Sequence, residues 1–191
     1  MSADAMGAET VVTQIRMCGF GGQGIVLAGV ILGHAGVLDG KYVAQSSSYG
    51  AEARGSACKS EVVISDEWID YPHVLKPDVL LAMSQAAYEK YASDVAPQGG
   101  SISYDGELVR PDPGVAVPHF PVPATQRAVG DFHNRMVANT VLLGAMAQVT
   151  GVVTQNSLMG AIEMNVNETF LELNTRAAEL GFGLGTELKR H

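Results

Sequence analysis

From residue 13 onward, short apolar runs bounded by glycine, serine or aspartate alternate with longer stretches in which apolar residues recur at three- and four-residue spacing. The short runs read as strands and the longer ones as helices. Thr13 to Phe20 is the first strand, and Gln23 to about Val37 the first helix, with Ile25, Ala28, Ile31, Leu32 and Ala35 on one face. The turn Leu38-Asp39-Gly40 leads into a second strand, Lys41 to Gln45. CKSEVVIS, Cys58 to Ser65, is a third. PDVLLAMS, from Pro77, lacks alternation, as expected of a strand buried on both faces of a parallel sheet. Gln85 to Tyr91 reads as a helix and Ser101 to Tyr104 as a strand. Val109 to Pro123 holds five of the eight prolines, which makes it a strand or extended connector.

The last third is helical. Thr125 to Val149 splits into TQRAVGD and FHNRMVANTVLLGAMAQV, and the second half of the latter is apolar nearly all round, which predicts a central position. Thr154 to Asn165 and Val166 to Leu180 follow as helices with Asn or Thr caps, and Gly181 is the expected stop. The pattern predicts an α/β fold with a mostly parallel sheet and a helical C-terminal third. One domain spans residues 13–185, with flexible tails at 1–12 and 186–191.

Composition narrows the chemistry. With 191 residues, 47% of them hydrophobic, the chain can bury one sizeable core. The net charge of −8 and the lack of a dense Lys/Arg cluster argue against nucleic acid and anionic membranes as partners. Cys18 and Cys58 stand too far apart for a CxxC site, and two thiols cannot hold an iron–sulfur cluster by the usual four, so they read as buried thiols of a reducing cytoplasm. The N-terminus has no basic segment followed by an apolar one, hence no signal peptide. Met17 to Leu38 has the length of a membrane span and no charge, but its seven glycines fit a strand and a helix better. The five histidines fall on separate elements without metal-binding spacing, and no GxSxG or phosphate-loop lysine motif occurs. The chain is expected to be inert alone.

The strongest local signal is RMCGFGGQGIVLAGVILGH, Arg16 to His34. Gly19, Gly21 and Gly24 form G-x-G-x-x-G at a strand-to-helix turn, and Gly22 adds a fourth glycine. Backbone N–H groups of Phe20 to Ile25 would face outward at the positive end of a helix, a place for an anion such as a phosphate. The competing reading is that the glycines only allow close helix–sheet packing. NAD is disfavoured, because Lys41 to Gln45 offers no acid for a ribose and Asp39 comes too early. The second signal is the polar segment Ser46 to Ser56, SSSYGAEARGS. It is neither strand- nor helix-periodic, and Arg54 there is a bidentate donor suited to a phosphate or carboxylate, with Glu52 close enough to pair with it.

Four segments, GFGGQGIVLAG, QSSSYGAEARGSACKSEVVIS, IDYPHVLKPDVLLAMSQAAYEKY and RMVANTVLLGAMA, together resemble the gamma subunit of 2-oxoacid:ferredoxin oxidoreductases. The resemblance covers roughly residues 13–181. It implies a Rossmann-like domain that works in a complex with alpha and beta chains carrying thiamine diphosphate and magnesium, and with an iron–sulfur subunit. Such a complex turns a 2-oxoacid into an acyl-CoA and passes electrons to ferredoxin or another acceptor. Carried onto this chain, the resemblance makes Gly19, Phe20, Gly21, Gly22, Gln23 and Gly24 candidates for coenzyme A or an interface carboxylate. Ser48, Tyr49, Gly50, Glu52, Arg54 and Gly55 match the family's S-Y-G-x-E-x-R-G segment. Ser56 stands where the family has a second glycine, and Ala51 where it often has proline. The alternative is a stand-alone nucleotide- or coenzyme A-binding regulatory module.

Overall fold

The computed structural model describes residues 11–48 and 57–190. Its sheet runs in the order β2-β3-β1-β4-β5-β6. β1 (Val12–Phe20) lies inside the sheet because it is apolar on both faces, with Ile15, Met17 and Cys18 fully buried. It pairs in parallel with β4 (Val79–Ala82), β4 with β5 (Ser101–Asp105), and β5 with β6 (His119–Val122). On the other side it pairs antiparallel with β3 (Ala57–Ser65), and β3 pairs antiparallel with β2 (Tyr42–Ser48). Only β3 therefore runs against the others, and the sheet is mostly parallel.

The second strand departs from expectation in length and place. It extends to Ser48, taking in three serines assigned above to the loop, and it is an edge strand separated from β1 by β3. The swap follows from side chains. β3 buries Val62, Val63 and Ile64 and needs neighbours on both sides, whereas the polar β2 tolerates an open edge. Gln45 Nε2 donates to Ser60 Oγ at 3.1 Å, and the Ser47 and Ser60 hydroxyls lie 3.1 Å apart, so the serines hold this pair side chain to side chain.

One face of the sheet is covered by α1 (Ile25–Leu38), α4 (Ala138–Thr150), α5 (Gln155–Asn165) and α6 (Glu168–Leu188). The other carries α2 (Gln85–Tyr91) and the connector before β6, around Leu80, Tyr88 and Ile102. Here Arg16 is buried and satisfied. Its Nε donates to Glu61 at 2.8 Å, one Nη to Asp94 at 2.7 Å and the other to the Val74 carbonyl at 3.0 Å, and its guanidinium stands 5.0 Å from the Tyr91 ring centroid. α4 is central as its pattern predicted, with Ala138 to Ala147 all buried. The helix expected to start before it is shorter. α3 (Ala124–Phe132) takes Phe132 and ends at His133 with φ 52°, and Asn134 caps a single 3₁₀ turn, Arg135–Val137. Among the described residues no helix is long and apolar enough to cross a membrane.

Gly181 does not stop the last helix. α6 runs through it to Leu188, into the stretch expected to be a tail. The glycines serve packing instead. A Cβ at Gly144 would lie 2.6 Å from the Ala178 carbonyl and one at Gly185 2.6 Å from the Ala145 carbonyl, while one at Gly181 would collide with the Val141 carbonyl. α4 and α6 thus meet backbone to backbone. Gly183, on the outer face of the same helix, has nothing within 4 Å of where its Cβ would be.

Asp39, in the turn after α1, has its own task. It accepts hydrogen bonds from Thr154 N–H (2.7 Å), Thr154 Oγ1 (2.7 Å) and Ser157 Oγ (2.6 Å), fastening the start of α5 to the end of α1. Partial burial pushes its pKa up, but the bonds from Ser157 and Thr154 and the nearby Lys41 charge outweigh that and hold it below the usual aspartate range.

Two predictions follow from this packing. Gly183→Ala is expected to stabilise the fold by about 0.5–1 kcal/mol through helix propensity, while Gly181→Ala destabilises it by about 1–3 kcal/mol through overpacking; paired thermal melts check the opposite signs. Asp39→Ala is expected to cost about 1–2 kcal/mol at neutral pH. Because the folded pKa of Asp39 is depressed, that difference is present above the unfolded pKa of about 3.9 and shrinks as pH falls through the lower folded value. Urea titrations of both proteins between neutral and acid pH would read it.

Candidate anion-binding site at the carboxyl edge of the sheet

The parallel strands all end at one edge of the sheet, and chain connections diverge there across the β1–β4 pair, β1 continuing through α1 toward β2 on one side and β4 through α2 toward β5 on the other. In open α/β sheets such a divergence leaves a crevice for a ligand. The glycine turn occupies it. Gly22 (φ 89°) and Gly24 (φ 73°) are left-handed, and Gly24 is the N-cap of α1.

Gln23 sets the shape of the turn. Its Oε1 accepts from Phe20 N–H at 2.6 Å, its Nε2 donates to the Met83 carbonyl at 2.8 Å, and its own N–H donates to the Phe20 carbonyl at 3.2 Å. This corrects one expectation: the N–H groups of Phe20 and Gln23 are consumed within the turn. Those of Gly21, Gly22, Gly24 and Ile25 have no partner among the described residues. Gly19 packs inside, where a Cβ would lie 3.1 Å from Met83 Cβ, so it serves the packing role and Gly21 and Gly22 face outward.

The C-terminal third completes the site. Asn139, at the start of α4, donates from Nδ2 to the Gly24 carbonyl at 3.2 Å and accepts from Thr140 N–H at 2.9 Å. Thr140 Oγ1 donates to Asn174 of α6 at 2.7 Å. A side chain at Gly24 would collide with the Asn139 amide. Just before α4, Arg135 and Met136 join Gly22, Gln23, Met83 and Thr125 around a cleft of about 100 Å³. Thr125 is held by the fully buried Asp105, which accepts from its N–H at 3.0 Å and its hydroxyl at 2.6 Å and so caps α3 from β5. Arg135 is exposed and makes no ion pair among the described residues. The cleft therefore brings one available guanidinium beside Gly22 of the glycine turn, a combination suited to a phosphate or carboxylate.

Neither Arg135 nor Asn139 is among the candidate residues that the sequence singles out. Both lie within RMVANTVLLGAMA, and the available signal was an Asn inside a helix otherwise apolar all round, since a buried amide needs hydrogen-bond partners. Ser48 ends β2 at this same edge. Tyr49, Gly50, Glu52, Arg54 and Gly55 lie outside the described residues. The strand following them is described: Ala57 pairs with Phe20 and Cys58 with Gly19, so the segment returns to the sheet beside the glycine turn.

The thiols add no chemistry. Cys18 is pushed up to about 12 by burial, against the pull of Arg16, and burial also raises Cys58. Among the described residues no three His, Cys, Asp or Glu side chains converge on a metal position.

Comparison with known proteins agrees with this fold. The family model described as pyruvate ferredoxin/flavodoxin oxidoreductase matches residues 14–184. The 2-oxoglutarate synthase subunit KorC of Methanocaldococcus jannaschii is 47% identical over 178 residues, covering 92% of this chain and 95% of the relative. The structure of a keto/oxoacid ferredoxin oxidoreductase gamma subunit from Geobacter sulfurreducens superposes with a TM-score of 0.81 at 41% identity, covering 92% of this chain and 99% of that one. A 2-oxoglutarate:ferredoxin oxidoreductase from Magnetococcus marinus, solved with 2-oxoglutarate, coenzyme A and succinyl-CoA, superposes with a TM-score of 0.83 at 26% identity, over 94% of this chain and 32% of that one. A glycine turn completed by a helical C-terminal third, matched over almost its whole length, therefore places the chain in the pyruvate ferredoxin/flavodoxin oxidoreductase family, among the gamma-type subunits of 2-oxoacid:ferredoxin oxidoreductases.

Proposed function

We propose that this chain supplies part of the coenzyme A site in a complex that oxidatively decarboxylates a 2-oxoacid, with 2-oxoglutarate the first substrate to test. The observation that carries the reading is the exposed guanidinium of Arg135 in one cleft with Gly22, whose N–H has no partner among the described residues, beside the rest of the glycine turn. A relative 47% identical that is named as a subunit of 2-oxoglutarate synthase supports the choice of substrate.

In the overall reaction the bond between the carboxyl carbon and the keto carbon breaks and carbon dioxide leaves. The thiol sulfur of coenzyme A bonds to the former keto carbon and loses its proton, and two electrons depart singly to ferredoxin or another acceptor. Thiamine diphosphate, its magnesium and the iron–sulfur clusters belong to the alpha, beta and iron–sulfur partner chains. The donor sets described here do not suit them, since both cysteines are buried on different strands and, among the described residues, no three His, Cys, Asp or Glu side chains converge on a metal position.

This chain's contribution is to bind and orient. A cleft of about 100 Å³ holds a phosphate or diphosphate and not a whole coenzyme A molecule. Arg135 and the turn would therefore grip the phosphates, leaving the remainder to the Ser48–Gly55 segment and the partner chains. Aligned N–H groups bind an anion without reorganising, and the guanidinium adds a permanent charge.

Two expected outcomes test the reading in the assembled complex. Arg135→Gln raises KM for coenzyme A by about tenfold, the loss of roughly one charged hydrogen bond, while KM for the 2-oxoacid stays within about twofold. Steady-state assays varying each substrate separately measure this. Weakened assembly with an unchanged KM for coenzyme A would instead assign Arg135 to a partner's carboxylate. The purified single chain turns over no 2-oxoacid; turnover by it alone would sink the proposal, and coenzyme A binding without any assembly would favour a free-standing binding module.

A further inference from the structure

The two edges of the sheet are unlike. At one end β6 is four residues long and carries Pro121, with Pro118 and Pro123 on either side. Proline and shortness guard it against further strand pairing. At the other end β2 is seven residues long and holds no proline and no charged residue. An unguarded edge of that length exposes a row of unpaired backbone groups.

Next to the amino end of β2 stands the most exposed aromatic group among the described residues. Trp68 is 75% exposed, Tyr71 59% and Leu75 66%, all on the connection between β3 and β4. Trp68 meets Tyr42, the first residue of β2, edge to face at 6.1 Å, so the arc and the strand form one continuous surface. The arc is anchored at both ends. Asp66 N–H donates to the Val11 carbonyl at 3.3 Å, Leu75 N–H to Gln14 Oε1 at 3.0 Å, and Arg16 to the Val74 carbonyl at 3.0 Å. The side chains between are presented on a fixed frame, which lowers the ordering cost of docking.

Charge identifies the kind of partner. Asp66, Glu67 and Asp70 rim the aromatic groups; Lys41 pairs with Asp66, and His73 and Lys76 complete the arc. Glu67 and Asp70 have no cationic partner among the described residues. A second copy of this chain, with its own net charge of −8, is repelled by such a rim. Resting on the assignment of the chain to a multi-subunit oxidoreductase, we propose that β2 and the Trp68–Tyr71 arc are the docking face for a neighbouring subunit of the complex. That subunit presents Lys or Arg around an apolar recess that takes the indole. An exposed tryptophan inside a polar rim is the usual composition of a binding hot spot.

The test compares the isolated chain with the complex reconstituted from its thiamine-bearing and iron–sulfur subunits. Hydroxyl-radical labelling read by mass spectrometry should fall about fivefold or more at Trp68 on assembly, and Trp68→Ala should raise the Kd for assembly by about tenfold or more. Asp70→Lys should weaken assembly more at about 50 mM than at about 300 mM salt, as a screened charge contact requires. Phe170→Ala, at an exposed apolar residue on α6, should leave the Kd within about twofold, and all three variants should melt like the wild type because these side chains are exposed. Equal labelling of Trp68 in both states, or an unchanged Kd for Trp68→Ala, overturns the docking face while leaving the subunit assignment standing. Protection of Trp68 that grows with the concentration of the chain alone assigns the face to a second copy and also overturns it. Failure of the wild-type chain to bind the other subunits at all overturns both readings.

Discussion

The close approach of Asn139 to the Gly24 carbonyl is the contact on which the rest depends. Gly24 begins the first helix of the sheet half, and Asn139 begins the central helix of the C-terminal third, 115 residues later. The approach is possible only because Gly24 has no side chain and adopts a positive φ. Through Thr140 and Asn174 the same line of hydrogen bonds reaches α6, so the turn that offers N–H donors is held by both halves of the molecule. A buried amide that must be satisfied thereby sets the geometry of an exposed site.

Elsewhere the packing rests on absent side chains and on single buried charges. α4 lies between the sheet and α6, and the helices come together because Gly144, Gly181 and Gly185 let backbone touch backbone. Asp39, Asp105 and Arg16 each tie one connection to a distant element through at least three hydrogen bonds. None of the three needs solvent, since each is matched by donors or acceptors close by. The acidic surplus of the chain is thus partly structural.

The functional surfaces divide by position. The carboxyl edge carries the glycine turn, Arg135, Ser48 and the start of β3, and suits a small anionic ligand. The lateral edge, β2 with Trp68, suits a macromolecule. The sheet separates the two surfaces.

The hydrophobic pattern by itself determined the element order, the burial of the PDVLLAMS strand, the centrality of α4 and the glycine turn, because periodicity and backbone freedom are local properties of a chain. Motif order also disclosed the family. Tertiary structure decided which strand stands between β1 and β2, since edge or interior depends on what neighbours can cover. It turned Gly181 from a helix stop into a contact, because a glycine's role depends on what approaches it from 40 residues away in the chain, here Val141. It decided too that Phe20 N–H is consumed by Gln23, that Asp39 fastens the start of α5, that Arg135 lines the cleft beside the glycine turn and that Asn139 holds Gly24. Each of these rests on a pairing of polar groups in space, and hydrogen bonds between distant residues leave no periodic trace in a sequence.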